Sequence, residues 1–111
     1  MKFIIIPSGV STINASLLYE SSSLDYIVLG SNISSIKAFA FYLSHIQKVY
    51  YYGSRPYTDN IEIDSTINNC NASIIDSTWY YYTSNGSDEV TSGNWWYYDS
   101  DGVTIIEKIV V

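Results

Sequence analysis

Short bursts of apolar residues punctuate this chain, and the bursts recur. Residues 3–19 read FIIIPSGVSTINASLLY and residues 26–42 read YIVLGSNISSIKAFAFY. At an offset of 23, Ile4 falls on Ile27, Ile6 on Leu29, Ser8 on Ser31 and Val10 on Ile33. Ser11, Ile13, Ala15 and Tyr19 likewise fall on Ser34, Ile36, Ala38 and Tyr42. A third unit opens at an offset of 22, where Ile46-Gln47-Lys48-Val49-Tyr50-Tyr51 echoes Leu24-Asp25-Tyr26-Ile27-Val28-Leu29. Within a unit, Leu24, Ile27 and Leu29 have the spacing of a short strand whose alternate residues enter a core. Ile4 and Ile6 take the same places in the first unit, and Ile46, Val49 and Tyr51 take them in the third. Pro7 or Gly30 then breaks the strand. Val10 with Ile13, and Ile33 with Ile36, supply a second apolar layer on the return path. Ala15–Tyr19 and Ala38–Tyr42 read as single helical turns that close each unit.

One such coil cannot bury its own apolar face, so neighbours must stack into a parallel sheet with one strand per repeat. A period of 22–23 residues lies within the range of leucine-rich-repeat solenoids. The expected fold is therefore a short leucine-rich-repeat solenoid, a right-handed α/β coil that is mostly strand with short helical turns. Residues 1–53 would hold about two full repeats and the strand of a third. Residues 54–111 would form an irregular coil, a final strand and a β-hairpin cap. Thr104–Val111 reads as one last strand from its β-branched run.

The strings Ile6-Pro7-Ser8-Gly9-Val10-Ser11-Thr12-Ile13 and Ile36-Lys37-Ala38-Phe39-Ala40-Phe41-Tyr42 resemble the BspA-like bacterial leucine-rich repeat. Three later segments resemble the parts that close such chains: Lys48-Val49-Tyr50-Tyr51-Tyr52-Gly53, Ser77-Thr78-Trp79-Tyr80-Tyr81-Tyr82, and Ser92-Gly93-Asn94-Trp95-Trp96-Tyr97-Tyr98 with Asp101-Gly102-Val103. The resemblance implies a secreted or cell-surface protein that serves adhesion and protein–protein recognition. Its partner would be a host, matrix or other surface protein. It also suggests that the chain is the C-terminal portion of something longer.

If Ile4, Ile27, Val49 and Trp79 point inward, their neighbours point out of the sheet. Phe3, Tyr26, Lys48 and Thr78 then form one outward file, and Ile5, Val28, Tyr50 and Tyr80 a second. Tyr52 with Tyr82 starts a third. Exposed aromatic patches tend to mark interaction sites, which makes Phe3, Tyr26, Val28, Lys48, Tyr50, Tyr52, Tyr80 and Tyr82 the candidate partner-binding residues. The same ladders also stabilise strand pairing. The strand at residues 3–6 leaves an open edge that invites self-association with another chain.

Composition narrows the chemistry. The 111 residues suit one domain. Five Lys plus Arg against eleven Asp plus Glu give a net charge of −6, which argues against binding nucleic acid through its phosphates. Apolar residues make up 47% and charged residues 14%, a balance that disfavours disorder. Twelve Tyr and three Trp favour strands. No apolar stretch approaches the ~20 residues of a membrane span, and the N-terminus does not read as a secretory signal. The single Cys70 excludes an internal disulfide and suits a small core residue. His45 is the only histidine, with no acid or nucleophile in register beside it, and glycine-rich phosphate loops are absent. A non-catalytic protein with no cofactor is expected. Asp99-Ser100-Asp101-Gly102 lacks the distal Glu of a calcium loop, because Glu107 falls at position 9 rather than 12. A tight turn with Gly102 at positive φ accounts for it, and no metal site is expected.

Two other functions stay open. Trp79–Gly86 and Trp95–Gly102 recur at an offset of 16 and resemble the aromatic hairpins of choline-binding wall repeats. That resemblance implies a cell-wall glycan or choline-binding module that cages a quaternary ammonium by cation–π attraction. The third possibility is a structural cap or assembly fragment that oligomerises through its open repeat edge.

Overall fold

The computed structural model describes residues 2–14, 24–41, 44–84 and 90–111. Among these, the strands are β1 (Lys2–Ile6), β2 (Thr12–Ile13), β3 (Leu24–Leu29), β4 (Ser35–Ile36) and β5 (Lys48–Tyr51). They continue with β6 (Glu62–Ile63), β7 (Thr78–Tyr82), β8 (Gly93–Tyr98) and β9 (Ile105–Val110). One four-residue helix, α1 (Ala72–Ile75), precedes β7. A six-stranded sheet runs in the order β1-β3-β5-β7-β8-β9, and a three-stranded sheet in the order β2-β4-β6.

Apolar alternation sets the register. Ile4 lies opposite Ile27, Ile27 opposite Val49, and Val49 opposite Trp79, all in parallel pairs. Ile27 and Val49 are buried, as are Ile13 and Ile36 of the small sheet, so one core fills the space between the two sheets. Tyr57 stacks flat on Trp79 at 3.7 Å and closes one side of it. Gly30 sits where a Cβ would come within 2.7 Å of the Ser8 backbone. Only glycine lets the segment after β3 approach the one after β1 so closely.

The expected leucine-rich-repeat solenoid is not what forms. Among the described residues the chain is a small mixed α/β domain with almost no helix, a mostly parallel sheet that ends in an antiparallel pair, and no solenoid closure. Among the described residues the small sheet has three strands against six in the large one, so β7, β8 and β9 have no return strand paired into it and the coil does not repeat along the large sheet. At residues 99–102, where Gly102 adopts φ +70°, the chain reverses and β9 runs antiparallel to β8. The helical turn expected over Ala38–Tyr42 is also corrected. Residues 38–41 form hydrogen-bonded turns, and Phe39 sits at φ +65°, a left-handed conformation that interrupts a right-handed helix. The matching expectation at Ala15–Tyr19, and Tyr42 itself, lie outside the described residues.

Asn71 ties the irregular segments together. Fully buried, it donates through Nδ2 to the carbonyls of Lys37 (2.8 Å) and Asp64 (2.7 Å). Its Oδ1 accepts the Phe41 N–H at 3.0 Å. One side chain thus pairs the Phe41 N–H and adds a second donor to two carbonyls that follow the two-residue strands of the small sheet.

Candidate functional site at the sheet edge

The outer face of the large sheet carries the tyrosine file expected from the sequence, but most of it is covered. Val28 is 1% exposed, and Tyr50 and Tyr80 are each 5% exposed. These three do not form the open binding patch expected of them. They pack with Trp96 into a second core, joined by half-buried Tyr26, Tyr82, Tyr98 and Ile105. The sheet coils until β8 and β9 overlie its own middle, which sets the Trp96 ring 5.7 Å from Tyr50 and 5.3 Å from Tyr82. Trp96 Nε1 donates to the Tyr51 carbonyl at 3.0 Å, so the buried indole keeps its hydrogen bond.

Glu107 of β9 fastens this cover. Its Oε2 accepts from Lys48 Nζ at 2.8 Å and from the Tyr50 hydroxyl at 2.7 Å. Burial pushes the Glu107 carboxyl up, but the hydrogen bonds from Lys48 and Tyr50 outweigh it and hold the pKa below its ordinary value. Burial, and then the hydrogen bond to this carboxylate, push the Tyr50 phenol well above its ordinary range. Lys48 is therefore engaged with the cover rather than free on an open face. Tyr52 and Tyr82 sit 4.8 Å apart, and the Tyr52 ring lies 4.8 Å from Trp96. Burial and the neighbouring Tyr98 push the Tyr52 hydroxyl up to about 12.

What stays open is the strand at the edge. Among the described residues β1 pairs with β3 on one side only, and Phe3 and Ile5 are each 51% exposed. The Ile6 carbonyl accepts the Gly30 N–H at 2.8 Å, which fixes the backbone alternation. Ile4 and Ile6 direct their N–H and C=O groups toward β3, while Phe3 and Ile5 direct theirs away. The exposed apolar side chains of the strand thus belong to the residues whose backbone points outward. Phe3 stacks on Tyr26 at 5.0 Å with planes 4° apart, so its ring is held upright on the sheet. Beside Ile5, a hollow of about 420 Å³ is lined by Ile6, Pro7, Gly30, Ser31 and Tyr52, among others.

Of the eight candidate binding residues, the edge brings Phe3 and Tyr26 together and reaches Tyr52 through the hollow. Val28, Lys48, Tyr50, Tyr80 and Tyr82 belong to the covered core or its fastening. Sequence reasoning put Ile5 in an outward file and on the open edge without naming it a binding residue, and it missed Glu107 as a tie. The signal for the cover was present in the alternation of Trp96 and Tyr98 facing Ile105 and Glu107, a two-residue period with large side chains on one face.

Other groups are occupied structurally. Asp101 Oδ1 accepts the N–H groups of Val103 (2.9 Å) and Thr104 (2.8 Å), and its Oδ2 accepts the Thr104 hydroxyl. Led by the Thr104 hydroxyl, these bonds hold the Asp101 carboxyl below its usual value. The buried Cys70 thiol points at the Asp64 carbonyl at 3.4 Å, and His45 is exposed. Among the described residues, no three His, Cys, Asp or Glu side chains are grouped to hold a metal ion, and no helix is long and apolar enough to cross a membrane. Comparison with family models, curated proteins and solved structures finds no match to this chain.

Proposed function

We propose that this domain is a non-catalytic protein-interaction module that binds an extended segment of another polypeptide along β1. One observation carries the proposal: the outward backbone groups of β1 belong to Phe3 and Ile5, which also hold the exposed apolar side chains. An added strand gains main-chain hydrogen bonds from the edge and side-chain contacts from Phe3, Ile5 and the hollow beside Tyr52. The covered tyrosine core buries the outer face of the strands behind β1, so a docking segment adds to a sheet that is already packed.

The test is titration of the isotope-labelled chain with a lysine-flanked synthetic peptide carrying the β3 sequence LDYIVL. Amide shifts should centre on Phe3 and Ile5 and saturate by about 1 mM peptide. Ile5→Pro should weaken binding about tenfold or more, because it deletes an outward N–H while leaving the ladder to β3 intact. No shift up to about 1 mM, or shifts confined to another face, would overturn the proposal.

A further inference from the structure

Resting on that reading of β1, we infer that its occupant is a second copy of this chain, paired antiparallel across a two-fold axis at Ile4. The strand is self-complementary in that register. Phe3 of each copy then lies opposite Ile5 of the other, and Ile4 lies opposite itself. In an antiparallel pair, residues directly opposite either exchange two hydrogen bonds or none. With the axis at Ile4, the outward backbone groups of Phe3 and Ile5 fall in the exchanging pairs, so all four groups of each edge are satisfied.

Neighbouring registers fail on chemistry visible in the sequence. An axis at Ile5 sets Phe3 opposite Pro7, which has no N–H to give. Shifting by a single residue sets hydrogen-bonding positions against non-bonding ones and turns the core-facing side chains outward.

Side chains agree with the Ile4 register. Each exposed Phe3 meets an exposed Ile5 on the outer face, an aromatic–β-branched pair of the kind that stabilises adjacent strands. Half-buried Ile4, which packs against the inner core, meets its own counterpart on the inner face. The contact is isologous and closes at two copies, so it uses up the edge without building a filament. The two six-stranded sheets become one continuous sheet. Each copy carries a net charge of −6, so long-range repulsion opposes pairing at low ionic strength and is screened by salt.

Light scattering coupled to size exclusion, across a concentration series in low and physiological salt, reads the assembly directly. A dimer that tightens with added salt is expected. Ile5→Pro and Ile5→Lys should each raise the dissociation constant about tenfold or more, with circular dichroism confirming that at least one of them keeps the fold. Ile4→Cys reports the register. Non-bonded antiparallel partners lie about 4.5 Å apart between Cα atoms, inside the range a disulfide spans. Oxidised Ile4→Cys should therefore run as a covalent dimer, whereas Ile5→Cys should not, since its two copies sit diagonally apart. A chain that stays monomeric to about 1 mM, or a dimer that Ile4→Cys does not lock and the Ile5 variants do not loosen, overturns the inference. If such a monomer still takes up the LDYIVL peptide at Phe3 and Ile5, only the identity of the occupant falls. If the peptide also fails, the reading of β1 falls with it.

Discussion

Tyr50 donates its hydroxyl proton to Glu107 at 2.7 Å, and so the last strand of the large sheet is fastened to one near its middle. The bond is not redundant, because Tyr50 is buried and the Lys48 ammonium shares the same carboxylate oxygen. Glu107→Ala would strand the phenol under the cover. A loss of about 1–3 kcal/mol is expected, as for other buried donors left without a partner. Urea denaturation of the variant checks it, and a loss near zero would mean that the cover holds without its tie.

The same carboxylate makes stability depend on acid. Its pKa is lowered in the folded chain, so its contribution is fully present above the unfolded value, about 4.3. That contribution is lost as pH falls through the lower folded value. Urea midpoints should therefore drop between about pH 5 and pH 3, and Glu107→Gln should lack that part of the drop. Equal slopes for the two proteins would show that other carboxylates carry the acid sensitivity.

At the alkaline end the sign reverses. Tyr50 titrates well above its ordinary range, and burial raises Tyr26, Tyr51 and Tyr80 in the same direction. A raised folded pKa favours the fold fully below the unfolded value of about 10, and that advantage disappears as pH climbs past it. Tyrosinate absorbance should lag behind that of free tyrosine and then rise together with loss of near-ultraviolet circular dichroism. Smooth titration of all tyrosines near pH 10 with the fold intact would refute this.

Trp96 is the largest side chain buried on the covered face. Replacing it with alanine removes the centre of the second core, and about 3–5 kcal/mol of stability should go with it. If enough fold survives, the tyrosine file becomes accessible and the variant should bind an apolar dye that the parent does not. Unchanged stability in thermal denaturation would mean that β8 and β9 do not hold the face closed.

Asn71→Ala tests the other end of the molecule. It leaves the Phe41 N–H without its partner in a buried site and takes one of two donors from each of the Lys37 and Asp64 carbonyls, and a loss of about 1–3 kcal/mol is expected by calorimetry. Asn71→Asp should be no better, since a carboxylate offers oxygen to carbonyls that need a donor.

Much of the strand register was legible in the chain. The 23-residue recurrence that matches Ile4 to Ile27 and Ile6 to Leu29 is the pairing of β1 with β3, because apolar residues that share a core layer must share a register. Leu24, Ile27 and Leu29 are buried for the same reason. The covered face was not legible. Phe3, Tyr26 and Tyr50 look alike as outward aromatics, and only the path of the chain after residue 99 decides which of them the hairpin reaches. Asn71 sits in the run Asn68-Asn69-Cys70-Asn71, where local pattern suggests a solvated loop. Nothing in that run distinguishes the asparagine that bonds three distant backbone groups from the two that lie exposed. An open edge at residues 3–6 was an expectation from the repeat pattern, but the coincidence of backbone direction and side-chain exposure at Phe3 and Ile5 needed three dimensions.

The central strands β5 and β7 have a core on each face, whereas β1 is paired on one side and lies at the lip of both cores. Amide exchange should follow that gradient, slowest at Val49 and Tyr80 and fastest at Phe3 and Ile5, as expected when local opening is easiest where burial is least. Recognition then falls to the strand that frays most readily. A partner that docks there would slow exchange at β1 far more than at β5, and its apparent affinity would rise with any change that keeps β1 in place.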